Sequence, residues 1–223
     1  MTRLRWRSLT DAQREREYSP SSCLPDGDYR PFVAAYRSES DSAWATVEAA
    51  AGVRTTTVAY GDAAPNTLDV AVPVAADPPP LLVYFHGGYW QELSKRESRF
   101  AAVHCVDRGW AFAAVDYTLA PDADLDQIVR ECHQAVRTVG ESGSSLGIDP
   151  HRIAVVLGTG IGGLATMHSQ HTQLSQGGPE RVNPLTVPML IPDAAAGQVA
   201  IDLGLKGGAH TPVSACALSL IHI

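Results

Sequence analysis

Short apolar runs alternate with longer segments of helical periodicity along the first 157 residues. Period-2 patterns of β-branched residues predict strands over 54–60 (RTTTVAY) and 67–73 (TLDVAVP). Continuous apolar runs predict buried strands over 81–85 (LLVYF), 111–117 (AFAAVDY) and 152–157 (RIAVVL). Most of the intervals between them have the length and pattern of helices.

Amphipathic segments predict helices over 43–51, over 97–108 with an end at Gly109, and over 125–139 with an end at Gly140. Strands that alternate with helices at this spacing predict an α/β fold. We expect 81–157 to supply parallel strands of one sheet, with Gly87 and Gly88 at the carboxyl end of a strand.

The pattern changes after Gly163. A polar helix is followed by the irregular stretch GGPERVNPLTVPMLIP, an Ala/Gly-rich helix over about 194–205, and a strand-like segment, HTPVSAC, over 210–216. This part therefore lacks the regular alternation of apolar runs and helical segments that precedes it.

Composition excludes several classes of protein. A net charge of -7 over 223 residues argues against a nucleic-acid partner. The charged N-terminus lacks the apolar core of a signal peptide, and no apolar run is long enough to span a membrane, so we expect a cytoplasmic protein. The spacing of the four cysteines fits neither a metal site nor a disulfide framework, and we expect free thiols, no metal and no cofactor; they are Cys23, Cys105, Cys132 and Cys216.

The motif HGGYW follows the strand LLVYF directly and comprises His86, Gly87, Gly88, Tyr89 and Trp90. Two glycines there allow backbone N–H groups to approach a developing oxyanion. With the helix and AAVDYTLAP that follow, the motif resembles the esterase and lipase branch of the α/β-hydrolases. YFHGGYWQELSKRESRFAA and EYSPSSCLPDGDYRPFVAAY are similar to kynurenine formamidase (arylformamidase), over about residues 10–153.

This resemblance implies a small-molecule amide or ester substrate, an oxyanion hole at Gly87 and Gly88, and a Ser-Asp-His triad. The serine should follow the strand at 152–157, but the turn at 158–163 reads GTGIGG. The sequence GSSLG at 143–147 matches the nucleophile motif. It follows a predicted helix and precedes a strand, so we interpret it as a helix-to-strand loop. The hydrolase site is therefore predicted to be inactive.

Other candidate sites in the second part are weak. GTGIGG also fits a dinucleotide-binding pattern, but no second strand ends in an acidic residue about 20 positions later. Acids and histidines that could complete a triad are predicted to be surface or loop residues; they are Asp193, Asp202, His210 and His222.

A second resemblance covers about residues 152–217. RIAVVLGTGIGGL, GGPERVNPLTVPMLIPDAAAGQVAIDLGLKG and TPVSAC resemble β-ketoacyl-acyl-carrier-protein synthase, a thiolase-fold condensing enzyme. The resemblance implies Cys216 as the nucleophile and an acyl carrier protein as the partner. The two histidines that assist the cysteine in that family would lie beyond Ile223, so this site is also predicted to be incomplete.

The two resemblances meet near residue 152. We expect the N-terminal half of an α/β-hydrolase sheet over 1–152, a truncated thiolase-fold fragment over 153–217, and a tail over 218–223. The tail, LSLIHI, can be encoded by DNA that resembles a transposon adapter of sequencing libraries. We expect a chimeric chain of hydrolase ancestry that is not a stable monomeric domain. Two alternatives stay open: acyl transfer through Cys216, or a non-catalytic binding protein on a hydrolase fold.

Overall fold

The computed structural model describes residues 9–18, 24, 26–88, 90–156, 163–211 and 213. The chain divides into two compact units, residues 1–39 and 40–223. The first unit contains helix α1 (Asp11–Tyr18) and the start of helix α2 (Arg30–Ala49). In the described residues, no helix is both long enough and apolar enough to cross a membrane.

The second unit is built on a mixed sheet that has six strands in the described residues. Its strands lie in the order β1-β2-β4-β3-β5-β6. β1 pairs antiparallel with β2 and β2 with β4, whereas β3, β4, β5 and β6 run parallel. The bounds are Val53–Ala59 (β1), Thr67–Pro73 (β2), Leu81–Phe85 (β3), Ala111–Val115 (β4), Ile153–Val156 (β5) and Ala209–His210 (β6).

Parallel strands over 81–157 were expected, and the sheet confirms them as far as Val156. β3 lies between β4 and β5 and is parallel to both, so it is not an edge strand. The α/β class is likewise confirmed.

Helices cover both faces of the sheet. On one face, Ala135, Val136 and Val139 of one helix pack on the side chains of β2, β3 and β4. On the other face, Trp44 and Val47 of α2 pack with a short helix against Phe112. The helices after α2 are α3 (Lys95–Ser98), α4 (Ala101–Val106), α5 (Leu125–Leu146), α6 (Leu164–Gly177), α7 (Thr186–Leu190) and α8 (Ala194–Asp202), with a 3-10 turn at Pro179–Arg181.

The prediction of a single helix over 97–108 is wrong, because two short helices, α3 and α4, occupy this segment. The hydroxyl of Ser40 lies between them: it donates to the Arg96 carbonyl at 2.5 Å and accepts from the Phe100 amide at 3.1 Å. These two backbone groups would bond each other in a continuous helix. A side chain from α2 therefore interrupts the helix.

The predicted end of α5 at Gly140 is also wrong, since α5 continues to Leu146. A glycine inside a helix costs about 1 kcal/mol but does not end it. The end lies at Gly147, which has φ 77° and whose amide bonds the carbonyls of Gly143 and Ser144. The sequence GSSLG therefore forms the end of α5 rather than a free loop.

In the last part of the chain, α8 ends at Asp202, earlier than the predicted 205. Gly204 follows with φ 64°. Of the predicted strand over 210–216, the structure shows pairing at His210, the end of the two-residue strand β6, and an isolated bridge at Val213. Most of the rest lies outside the described residues.

Candidate active site

The HGG motif lies at the carboxyl end of β3. β3 ends at Phe85, and His86 and Gly87 follow it immediately. The neighbouring parallel strand β4 ends at Val115, in register with Phe85, so Asp116 and Tyr117 emerge beside the motif. Ligand sites of parallel α/β sheets lie at this edge.

Gly88 has a conformation that only glycine adopts easily. Its φ is 104°, and a Cβ atom added there would lie 2.0 Å from the carbonyl oxygen of Glu92. Its own carbonyl accepts from the amides of Gln91 and Glu92, both at 3.0 Å. The turn is therefore tight, and any larger residue at Gly88 would displace it.

The amide groups of the two glycines point to oxyanion binding. No acceptor within the described part of the chain takes the N–H of Gly87 or Gly88. A Cβ atom on Gly87 would meet nothing within 4 Å, so the space beside this residue is open. Two adjacent amides beside an open space can donate to a carbonyl oxygen that gains negative charge.

His86 is held beside Asp116 and Tyr117. Its imidazole is fully buried and stacks on the Tyr117 ring, with centroids 4.2 Å apart and planes 3° apart. The Tyr117 hydroxyl donates to the His86 carbonyl at 2.8 Å. Nδ1 lies 2.7 Å from the Gly87 carbonyl, which can only accept, so Nδ1 carries the proton. Nε2 lies 3.3 Å from Asp116 Oδ1, without the geometry of a hydrogen bond.

The turn after the motif leads into α3, whose start is fixed by a capping box. Ser94 accepts from the Arg96 amide at 3.2 Å, and the buried Glu97 accepts from the Ser94 amide at 2.8 Å. The Lys95 amide donates to Asp116 Oδ1 at 3.3 Å. The end of the turn is thus tied to the same carboxylate that faces His86.

Ion pairs hold α3 on the sheet. Lys95 Nζ lies 2.9 Å from Asp69 Oδ1, and Arg99 Nη1 lies 3.2 Å from Asp69 Oδ2. Arg96 and Arg99 both pair with Asp41 of α2. Their hydrogen bonds, the one from Arg96 above all, hold the pKa of Asp41 below its usual range, although burial opposes this.

A second polar group, Glu131, supports the segment after β4. Its carboxylate accepts from the Thr118 amide at 2.7 Å and from the Thr118 hydroxyl and Gln127 Nε2, both at 3.0 Å. Burial raises the pKa of Glu131, but these hydrogen bonds outweigh it and bring the pKa below its ordinary value. Glu131 is therefore charged at neutral pH.

The partly buried thiols of Cys105 and Cys132 have the properties of inert residues. Burial raises the pKa of Cys105 to about 11 and that of Cys132 to about 12. Both are free and protonated at neutral pH. Within the described ranges, no group of histidines, cysteines and carboxylates could hold a metal ion.

The structure describes only some of the other predicted site residues. Tyr89, Cys216, His222 and the turn at 157–162 lie outside the described residues. Trp90 is 46% exposed and has φ 61°. Asp193, Asp202 and His210 are exposed, as predicted.

The serines of GSSLG do not form a nucleophile site. Ser144 and Ser145 are exposed in the last turn of α5, and the Ser145 hydroxyl donates to the Ser142 carbonyl at 2.8 Å. No histidine in the described residues bonds either serine. The interpretation that this motif is not a strand-to-helix elbow is confirmed.

Sequence reasoning missed Asp116 and Tyr117 as site residues. The available signal was their place directly after the buried strand β4. Since the ends of neighbouring parallel strands meet at one edge, a polar pair there was a candidate partner for His86.

Comparisons with known proteins agree with this geometry. The model of the BD-FAE family matches residues 68–182. Kynurenine formamidase of Danio rerio is 38% identical over 139 residues, covering 60% of this chain and 46% of the relative. The chain thus spans about half the length of the kynurenine formamidases that it matches.

Two further comparisons concern a shorter segment of the chain and the fold. The 3-oxoacyl-[acyl-carrier-protein] synthase 2 of Staphylococcus aureus is 58% identical over 66 residues, which is 30% of this chain and 16% of the relative. The structure of a candidate thioesterase from Silicibacter has a TM-score of 0.51 at 19% identity, covering 89% of this chain and 77% of that one. Both predicted resemblances are confirmed, and the family match includes the strands β2 to β5 and the HGG motif. The chain therefore belongs to the BD-FAE family.

Proposed function

We propose that this chain carries the oxyanion-binding part of a hydrolase site for a small-molecule amide or ester. The observation that carries the proposal is the Gly87–Gly88 turn at the carboxyl end of β3. A Cβ atom on Gly87 would meet nothing within 4 Å, and the conformation of Gly88 requires glycine. The similarity to kynurenine formamidase supports an aryl amide or ester as the substrate class.

The role proposed for this turn is electrostatic stabilisation. When a nucleophile attacks an amide or ester, the carbonyl oxygen becomes an oxyanion, and amide donors stabilise that charge. Removing one such donor from an enzyme costs about 10²–10³ in kcat. Hydrolysis also requires a nucleophile with an adjacent base.

We further propose that the chain does not hydrolyse such substrates by itself. The turn GTGIGG at 158–163 has no serine, and the serines of GSSLG lie in the last turn of α5. N-formylkynurenine and p-nitrophenyl acetate should be hydrolysed at the background rate. Activity that Ser145→Ala abolishes and Ser144→Ala retains would contradict this and make Ser145 the nucleophile.

Oxyanion binding can be tested apart from turnover. In ¹⁵N-labelled protein, benzoate should shift the amide signals of Gly87 and Gly88 selectively. Gly88→Ala should abolish the shift, because its Cβ would collide with Glu92. Gly109→Ala is the matched control, since Gly109 also has a positive φ, 72°, but lies in the turn before β4 with open space around it. Absence of a selective shift in the unmodified chain would overturn the proposal.

The match to a condensing enzyme favours a second candidate, acyl transfer through Cys216 with an acyl carrier protein as the partner. Its support is the 58% identity over 66 residues, the length of the segment 152–217. The test is incubation with an acyl thioester, followed by mass spectrometry of the peptide that contains Cys216. An acyl group on Cys216 that Cys216→Ser removes and Cys132→Ser retains supports this candidate, and its absence contradicts it.

We also propose that the chain joins a hydrolase segment, 1–152, to a condensing-enzyme segment, 153–217, and a tail, 218–223. Matches to two different enzyme families in one chain support the join. The BD-FAE model extends to residue 182, beyond the proposed boundary. Sequence reads of the source DNA should show a break in coverage across codons 145–160, and uniform coverage there would contradict a join.

A further inference from the structure

We propose that Asp116 and Tyr117 are positioning residues that hold the oxyanion loop, residues 86–95, in its binding conformation. This inference rests on the proposed function of Gly87 and Gly88. It assigns the placement of the loop to side chains of the neighbouring strand end rather than to the glycines themselves.

The contacts between the two segments lie at the beginning, middle and end of the loop. At the beginning, Tyr117 donates to the His86 carbonyl and stacks on its ring. In the middle, the Ala120 amide donates to the Trp90 carbonyl at 2.8 Å. At the end, Asp116 accepts from the Lys95 amide. The segment 116–120 therefore holds the loop at three separated points.

The positioning residues are themselves fixed. The Asp116 amide donates to the Thr67 carbonyl of β2 at 3.0 Å, and its carbonyl accepts from the Tyr60 hydroxyl. Burial raises the pKa of Tyr117 far above its usual value, so its hydroxyl stays protonated and remains a donor. Asp116 and Tyr117, which we call the clamp, are thus tied to β2 and to Tyr60 through the backbone of Asp116.

The clamp is needed because the loop is intrinsically adaptable. Its described residues include adjacent glycines and two non-glycine residues with positive φ, Trp90 at 61° and Leu93 at 70°. Such conformations are costly and persist only where surrounding contacts impose them. Fixing both ends limits the conformations of Gly87 and Gly88 and therefore the positions of their amides.

Amide hydrogen exchange in the full chain tests the clamp. The Gln91 and Glu92 amides report the closed turn, because both donate to Gly88. Tyr117→Phe removes one hydroxyl and keeps the ring, and it should raise their exchange rates roughly threefold to tenfold, the effect of one lost hydrogen bond. Asp116→Ala should expose the Lys95 amide, whereas Asp116→Asn, which keeps an acceptor oxygen, should restore its protection.

The matched control is Tyr84→Phe, because the Tyr84 ring packs on Phe100 and Phe112, away from the loop. It should leave the exchange rates of the loop unchanged. Loop rates that do not change in Tyr117→Phe and Asp116→Ala would overturn the clamp. Rates that rise equally throughout the sheet would also overturn it, because they would indicate a general loss of stability.

Benzoate titration of the same variants separates the clamp from the proposed function. If the unmodified chain shows no selective shift at Gly87 and Gly88, the oxyanion function fails, and exchange still decides the clamp. If the unmodified chain binds benzoate, Tyr117→Phe should weaken binding roughly threefold to tenfold. Equal binding by both proteins would show that the loop does not need the clamp.

Discussion

Residues 40–156 and residues 163–213 place their apolar side chains differently. Among the side chains whose burial the structure describes, every buried apolar residue except Ala196 lies in the first region. The second region contains several large apolar side chains that are about half exposed or more; they are Met167, Leu174, Leu185, Val187, Met189, Ile191, Ile201 and Val213. The first region therefore has a core, and the second has apolar residues without one.

The difference shows what a sheet with two covered faces contributes. In the first region, alternate residues of β4 face α5 on one side and α2 with α4 on the other. In the second region, α7 contacts both α6 and α8, and α8 contacts β5 and β6. Leu203 and Leu205, which follow α8, pack against the core of the sheet. Helical periodicity alone does not bury an apolar face unless a partner surface is present.

The largest expected effect is on the free energy of unfolding, when a buried and an exposed isoleucine are each replaced by alanine. Ile153 of β5 is fully buried, whereas Ile201 of α8 is 75% exposed. Ile153→Ala should lower the free energy of unfolding by about 2–5 kcal/mol, and Ile201→Ala should change it by less than about 0.5 kcal/mol. Chemical denaturation followed by circular dichroism measures both. Equal losses would show that the second region has a core of its own.

A smaller effect on the free energy of unfolding is expected when one polar contact is removed from each region. Lys95 pairs with the buried Asp69 and donates to the Thr67 hydroxyl at 2.8 Å. Lys95→Met should lower the free energy of unfolding by roughly 1–3 kcal/mol, because it removes a partner of a buried carboxylate. Gln198→Ala removes an exposed hydrogen bond to Asp202 and is the control. A neutral Lys95→Met would mean that Arg99 alone is a sufficient partner for Asp69.

We expect that the exposed apolar residues of the second region can be replaced with little loss of stability. Combined Val187→Ser, Met189→Ser and Ile201→Ser substitutions should reduce the binding of a hydrophobic dye and raise solubility, because exposed apolar patches drive association. The unfolding midpoint should move by less than about 4 °C, since each site is exposed. A large fall in the midpoint would instead show that these side chains pack in solution.

Features of this molecule that depend on local sequence were predictable, whereas features that depend on contacts between distant residues were not. The bounds of β2 and β3 match their apolar patterns because the strands pack on neighbours that are equally regular. The split between α3 and α4 was not predictable, because it depends on a hydroxyl of Ser40 that is distant in sequence. The HGG motif was visible as a local pattern, whereas Asp116 and Tyr117 belong to the site only through the pairing of β3 with β4.

The smallest expected effect concerns pH. The pKa of Glu131 lies below its ordinary value of 4.5 in the folded chain. Its contribution to stability is therefore full above pH 4.5 and is lost as the pH falls through the lowered value. The difference in unfolding midpoint between the unmodified chain and Glu131→Gln should be largest near pH 6 and should shrink toward pH 3. A difference that grows on acidification would contradict the direction of the shift.

Arg99 and Trp44 give the chain an optical reporter. The Trp44 indole is 6% exposed, donates from Nε1 to Glu48 at 2.8 Å, and lies 5.2 Å from the Arg99 guanidinium. Trp90 and Trp110 are 46% and 40% exposed, so their fluorescence should resemble that of indole in water. Among the tryptophans that the structure describes, Trp44 should therefore supply the short-wavelength part of the emission. Separation of α2 from the Arg99 network should appear as a red shift of that component, before any change in secondary structure is seen.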